Sequence, residues 1–164
     1  MKFTLYAATC RENAKNIKYP KNVEVIDEES LKSAVQFDHV SAKFTDDKRS
    51  NVSFIESDCL MFDCDNSHSE NPEDWVTPLE LALTFPDVAF AVAYSRNHMK
   101  NKGNRIARPK FHVYFEAEKV KKDVKTSIYL IKMCYETCFF FLESLSMSQK
   151  SVPLQCVFHS IRFK

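Results

Sequence analysis

The chain of 164 residues contains a single glycine, Gly103. Glycine-rich phosphate cradles of the G-x-x-x-x-G-K-[ST] and G-x-G-x-x-G types are therefore excluded, and any phosphate must be held by side chains. No C-x-x-C pair occurs among the six cysteines, Cys10, Cys59, Cys64, Cys134, Cys138 and Cys156. With no signal peptide and no long apolar span, they read as reduced thiols of a cytoplasmic protein that has no membrane partner. Cys134 and Cys138, four apart, suit a buried apolar pair better than half of a metal site. Acidic residues are absent from Ser144 to Lys164.

What is present is unevenly placed. The formal net charge of +1 does not by itself argue for nucleic acid, but from Glu56 to Asp87 there are nine acids and no lysine or arginine. Arg96 to Lys110 then holds Arg96, Lys100, Lys102, Arg105, Arg108 and Lys110 with no acid. Folded together, the two segments would form a cleft for a metal and a polyanion; folded apart, they are two solvated loops of opposite sign.

Within the acidic segment, Leu60-Met61-Phe62 runs into Asp63-Cys64-Asp65. Side chains two apart on a strand share a face, so the two carboxylates converge, and a hard divalent cation, Mg²⁺ or Mn²⁺, relieves their repulsion without protonation. A solvated turn or an N-cap at a strand end is the plainer reading of the same residues.

Strands are expected at Lys2–Ala8, Val23–Ile26, His39–Phe44 and Phe54–Asp63, with a helix capped by Asp27 between the second and third. Thr77-Pro78-Leu79-Glu80 starts a second helix with a capping box and proline at its first position. Val88–Tyr94, the most continuous apolar run, reads as a central strand. Lys110–Phe115 alternates, so Phe111, Val113 and Phe115 would face a core and leave Lys110, His112 and Tyr114 open for chemistry. A long helix is expected from Glu118 to about Glu143 and a weak strand at Cys156–Phe158. No repeat or linker divides the chain, so one α/β or α+β domain is expected, with a mixed sheet flanked by helices.

Phe62-Asp-Cys-Asp-Asn66, Tyr94-Ser-Arg-Asn-His98 and Arg108-Pro-Lys-Phe-His-Val-Tyr-Phe115 together resemble the catalytic domain of the archaeo-eukaryotic primase superfamily. The likeness is to its primase-polymerase branch, carried by plasmids, phages and other mobile elements, and it covers about residues 1–115. Asp63-Cys64-Asp65 matches the first motif, and His112 with Lys110 resembles the second. The resemblance implies an RRM-related catalytic core in which Asp63 and Asp65 hold divalent ions and His112 contacts a triphosphate. Arg96, Arg108 and Lys110 would neutralise phosphate, and Lys100, Lys102 and Arg105 would lie along nucleic acid. It further implies nucleoside triphosphates and a DNA or RNA template as partners, in DNA replication.

The family's third motif, a later carboxylate on a strand, has no counterpart here, so the core reads as incomplete at its C-terminus, with 144–164 a divergent tail. A remnant without turnover is accordingly the alternative: a nucleic-acid-binding accessory, or an inhibitor of a host nucleic-acid-guided defence system, working with other replication or defence proteins. A metal-dependent nuclease using the same carboxylates is a third.

Overall fold

In a computed structural model of the protein, the described residues are 1–121 apart from 51, 102, 104 and 105. They form a small α+β domain of two curled antiparallel sheets and two helices. Strands β1 (Phe3–Ala7), β2 (Lys21–Val25) and β3 (His39–Val40) make one sheet in the order β2-β1-β3. Strands β4 (Ala42–Phe44), β5 (Phe54–Cys64), β6 (Ala91–Tyr94) and β7 (Phe111–Lys121) make the other, in the order β4-β5-β7-β6.

Both helices begin where local chemistry dictates. Helix α1 (Glu28–Val35) starts at Asp27, whose carboxylate accepts from the Ser30 amide while the Ser30 hydroxyl accepts from the Asp27 amide. Helix α2 (Pro78–Thr84) starts at Thr77, with Glu80 closing the reciprocal pair. These bonds occupy amides that a first helical turn otherwise leaves unpaired.

Each helix closes a split β-α-β unit. Strands β2 and β3 run parallel, linked by α1, with antiparallel β1 between them; β5 and β6 run parallel, linked through α2, with β7 between them. This corrects the expected mixed sheet. Parallel strands occur, but every pairing among the described residues is antiparallel, because a third strand enters each parallel pair.

The second sheet is covered on both faces. Phe111 and Val113 pack with Leu81 of α2, Val76 and Cys64, while Tyr114 packs on the other face with Phe3, Leu5, Cys59, Leu31 and Ala34. Neither face of β7 is open along its length, as alternation alone had suggested: Tyr114 is fully buried, its ring stacked on Phe3 at 5.9 Å. That face reaches solvent on either side of Tyr114, at Lys110 and His112 and again at Glu116 and Glu118.

Three further expectations are corrected. His39–Phe44 is two strands in different sheets: β3 pairs with β1 and β4 with β5, so the chain crosses between sheets at Ser41. The apolar run Val88–Tyr94 yields a four-residue strand at the sheet's end rather than its centre, since β7 takes the place beside β5. Residues 118–121 continue β7, because Val120 and Lys121 pair with Ser57 and Glu56 beyond a bulge in β7. The rest of the expected long helix, and the strand at Cys156–Phe158, lie outside the described residues. No helix among the described residues is long and apolar enough to cross a membrane.

Candidate functional site

The paired strands β5 and β7 bring the two expected motifs face to face. Asp63 lies directly opposite His112 in register, and His112 opposite Ala93 on β6, so a carboxylate, an imidazole and a methyl group form one row across the sheet. His112 Nε2 is 3.6 Å from Asp63 Oδ1. One step further along, Lys110 Nζ lies 2.9 Å from Asp65 Oδ1, just past the end of β5. The alternation that put Asp63 and Asp65 on one face also matches them to His112 and Lys110.

Burial differs along this array. The side chains of Lys110 and Asp63 retain 16% and 15% of their exposure, against 50% for Asp65. Asp63 and Lys110 therefore sit in the less polarisable surroundings, where a charge acts more strongly. Between the carboxylates, Cys64 points into the opposite core; burial, with Asp63 and Asp65 nearby, pushes its thiol up to about 12, so it stays a neutral packing group. Asp63, Cys64, Asp65, Asn66, Ser67, His68 and Val76 line a shallow cleft of about 20 Å³, room for a water or a bare ion.

The turn that ends β5 is held by Asn66, which sequence reasoning passed over. It is buried, with a left-handed φ of 49°, a conformation asparagine tolerates better than most residues. Its amide group donates to the carbonyls of Val76 and Pro109, both at 2.9 Å, and its side-chain oxygen accepts from the Val76 amide at 2.8 Å. One side chain thereby ties the end of β5 to the entry of α2 and the start of β7.

Arg108 does related work. It is 2% exposed; its guanidinium donates to the carbonyls of Asn66 and Ser69 and meets Glu70 at 2.7 Å, with the Trp75 ring 5.8 Å away. It holds the 66–70 turn rather than reaching into solvent. Arg96 is exposed, and bridges Asp38 at 2.7 Å and Glu12 at 3.7 Å. Lys100 is exposed on the loop between β6 and β7, and Lys102 and Arg105 lie outside the described residues. His98 is a loop anchor: its Nδ1 accepts from the Lys110 amide at 3.2 Å and its ring lies against Tyr94.

A second missed residue is His39. Its Nε2 is 2.8 Å from the Tyr114 hydroxyl and its Nδ1 is 3.0 Å from the Phe37 carbonyl, while the Tyr114 hydroxyl is also 3.4 Å from His112 Nδ1. Burial lowers the His39 imidazole to about 4, and burial, with the neighbouring Cys59 and Asp63, raises the Tyr114 phenol well above its ordinary range. Both groups are neutral near pH 7. A hydrogen-bonded line therefore runs from the Phe37 backbone through His39 and Tyr114 to His112, whose opposite edge faces Asp63 at 3.6 Å. No sequence signal marked His39, whose partner is distant in the chain.

As a metal centre, the described residues offer Asp63, Asp65 and the imidazole of His112, with no cluster of three or more histidine, cysteine or acidic side chains in ligating range. Oxygen donors of this kind suit Mg²⁺ or Mn²⁺, the remaining positions falling to water or phosphate. Compared with protein-family models, with curated proteins and with solved structures, the chain matches none.

Proposed function

We propose that this protein is a primase-polymerase-like domain of a mobile element that binds a nucleoside triphosphate and a divalent metal for nucleotidyl transfer. The observation that carries this reading is the register of β5 against β7. It sets Asp63 opposite His112 and brings Asp65 to Lys110 at 2.9 Å, so that carboxylates for a cation and basic groups for phosphate share one strand end. In this role Asp63 and Asp65 would hold Mg²⁺ or Mn²⁺, which would supply charge neutralisation for nucleotidyl transfer to a primer hydroxyl. Lys110 donates to phosphate oxygens, and His112 contacts the triphosphate from beside Asp63. Lys100, Lys102 and Arg105, in the segment between β6 and β7, would follow a DNA or RNA strand together with Arg96. Arg108 takes a supporting part, since its guanidinium is committed to the 66–70 turn.

The purified protein is expected to extend or synthesise a primer with Mn²⁺ or Mg²⁺, and Asp63→Ala with Asp65→Ala to reduce incorporation to background. No labelled nucleotide incorporated with either metal on any template would overturn the enzymatic reading.

One observation favours a second reading. The Lys110 ammonium already neutralises Asp65, as suits a remnant that binds nucleic acid without turnover, whether as a replication accessory or as an inhibitor of a nucleic-acid-guided defence. Under it, neutralising Lys100, Lys102 and Arg105 together flattens the salt dependence of DNA binding by about 0.9 in logarithmic slope for each phosphate that the loop ceases to neutralise. Asp63→Ala then leaves affinity unchanged.

A further inference from the structure

We propose that Tyr114 and His39 are positioning residues: they fix the hydrogen of His112 on Nδ1 and so turn its Nε2 toward Asp63. The inference deepens the nucleotidyl-transfer reading of the Asp63–His112 pair and rests on it only for its consequence.

The polarity of the hydrogen-bonded line follows from what each group can do. A backbone carbonyl only accepts, so the Phe37 oxygen, 3.0 Å from His39 Nδ1, requires the hydrogen there. A neutral imidazole carries one hydrogen, which leaves His39 Nε2 as an acceptor. The Tyr114 hydroxyl, 2.8 Å away, is then the donor of that bond. A phenol has one hydrogen as well, so toward His112 Nδ1 at 3.4 Å its oxygen can only accept, and Nδ1 must donate. The opposite edge of the same ring, Nε2, is the one 3.6 Å from Asp63 Oδ1. In the neutral ring that edge is a lone pair beside a carboxylate, a pairing that suits a shared cation.

The line is also braced. The Tyr114 ring is stacked on Phe3, and the His39 ring meets His112 edge-on with centroids 5.6 Å apart. Neither His39 nor Tyr114 lines the cleft at Asp63 and Asp65. Outer partners of this kind set ring orientation and tautomer, and their loss characteristically weakens metal binding 10- to 100-fold.

The experiment is long-range ¹H–¹⁵N correlation spectroscopy of the whole protein labelled at histidine nitrogens, at about pH 9, above the ordinary imidazole range. Single substitutions assign the rings. Wild-type His112 is expected to carry its hydrogen on Nδ1. His39→Leu removes the acceptor, freeing the Tyr114 hydroxyl to donate to His112 Nδ1 and moving the His112 hydrogen to Nε2. His39→Gln supplies a carbonyl acceptor in its place and is expected to restore the wild-type tautomer, which a loss of packing alone would not do. Tyr114→Phe keeps the stacked ring and leaves His112 a mixture of tautomers.

Titration with Mn²⁺ alone is expected to show about 10-fold weaker binding for His39→Leu and wild-type binding for His39→Gln. Wild-type His112 with its hydrogen on Nε2, or a tautomer unmoved in both His39→Leu and Tyr114→Phe, would overturn the proposal. The expected tautomers with no Mn²⁺ or nucleotide binding in any variant would uphold the positioning while refuting the nucleotidyl-transfer reading.

Discussion

Single side chains decide whether the candidate site exists. Asn66 is buried and makes three hydrogen bonds, two to carbonyls and one from an amide. Asn66→Ala strands three backbone groups and is expected to cost about 3 kcal/mol in denaturant unfolding. Asn66→Asp keeps the acceptor but sets an oxygen against two carbonyls, and is expected to cost at least as much. His39 adds a pH dependence with a definite sign. Its imidazole falls from an ordinary value of 6.5 to about 4 in the folded protein, chiefly through burial. Protonation thus favours the unfolded chain: the contribution is present above pH 6.5 and lost as pH falls toward 4, by at most about 3 kcal/mol. Urea midpoints over that range should fall less steeply for His39→Gln than for the wild type.

At the scale of elements, short-range chemistry is dependable and long-range placement is not. Thr77→Ala removes the cap of α2 and is expected to cost about 1 kcal/mol, read from chemical denaturation, with Thr77→Ser near wild type. Both helix starts were legible in sequence because Asp27 finds Ser30, and Thr77 finds Glu80, within three residues. The facing of Asp63 and Asp65 was legible too, since alternation needs no partner. The position of β6 was not, because it depends on β7 entering beside β5 from further along the chain. The helical spacing that began at Val120 competed with pairing to Ser57, and across a bulge pairing prevailed. Arg108 read as a phosphate ligand because composition shows charge and not burial. His39 was overlooked because its hydroxyl partner lies 75 residues away.

For the whole molecule, the central fact is that β5 and β7 form the spine shared by the two cores that cover the second sheet. Cys64 and Phe111 pack toward α2, while Cys59 and Tyr114 pack toward β1 and α1. Amide exchange is therefore expected to be slowest in β5 and β7 and faster in β6 and β4, which flank them, as backbone bonds backed by two cores open only with the whole domain. Equal protection in all four strands would contradict a shared spine.

The order β5-β7-β6 also means that the row of reactive groups is drawn from two separate lengths of chain. His39, Asp63 and Asp65 precede Gly103, while Lys110, His112 and Tyr114 follow it. A cut near Gly103 leaves one fragment with the carboxylates and the other with the imidazole that faces them. Whatever the row does then becomes conditional on the two fragments finding each other, so the loop offers a natural place to divide this protein into a two-part reporter of proximity.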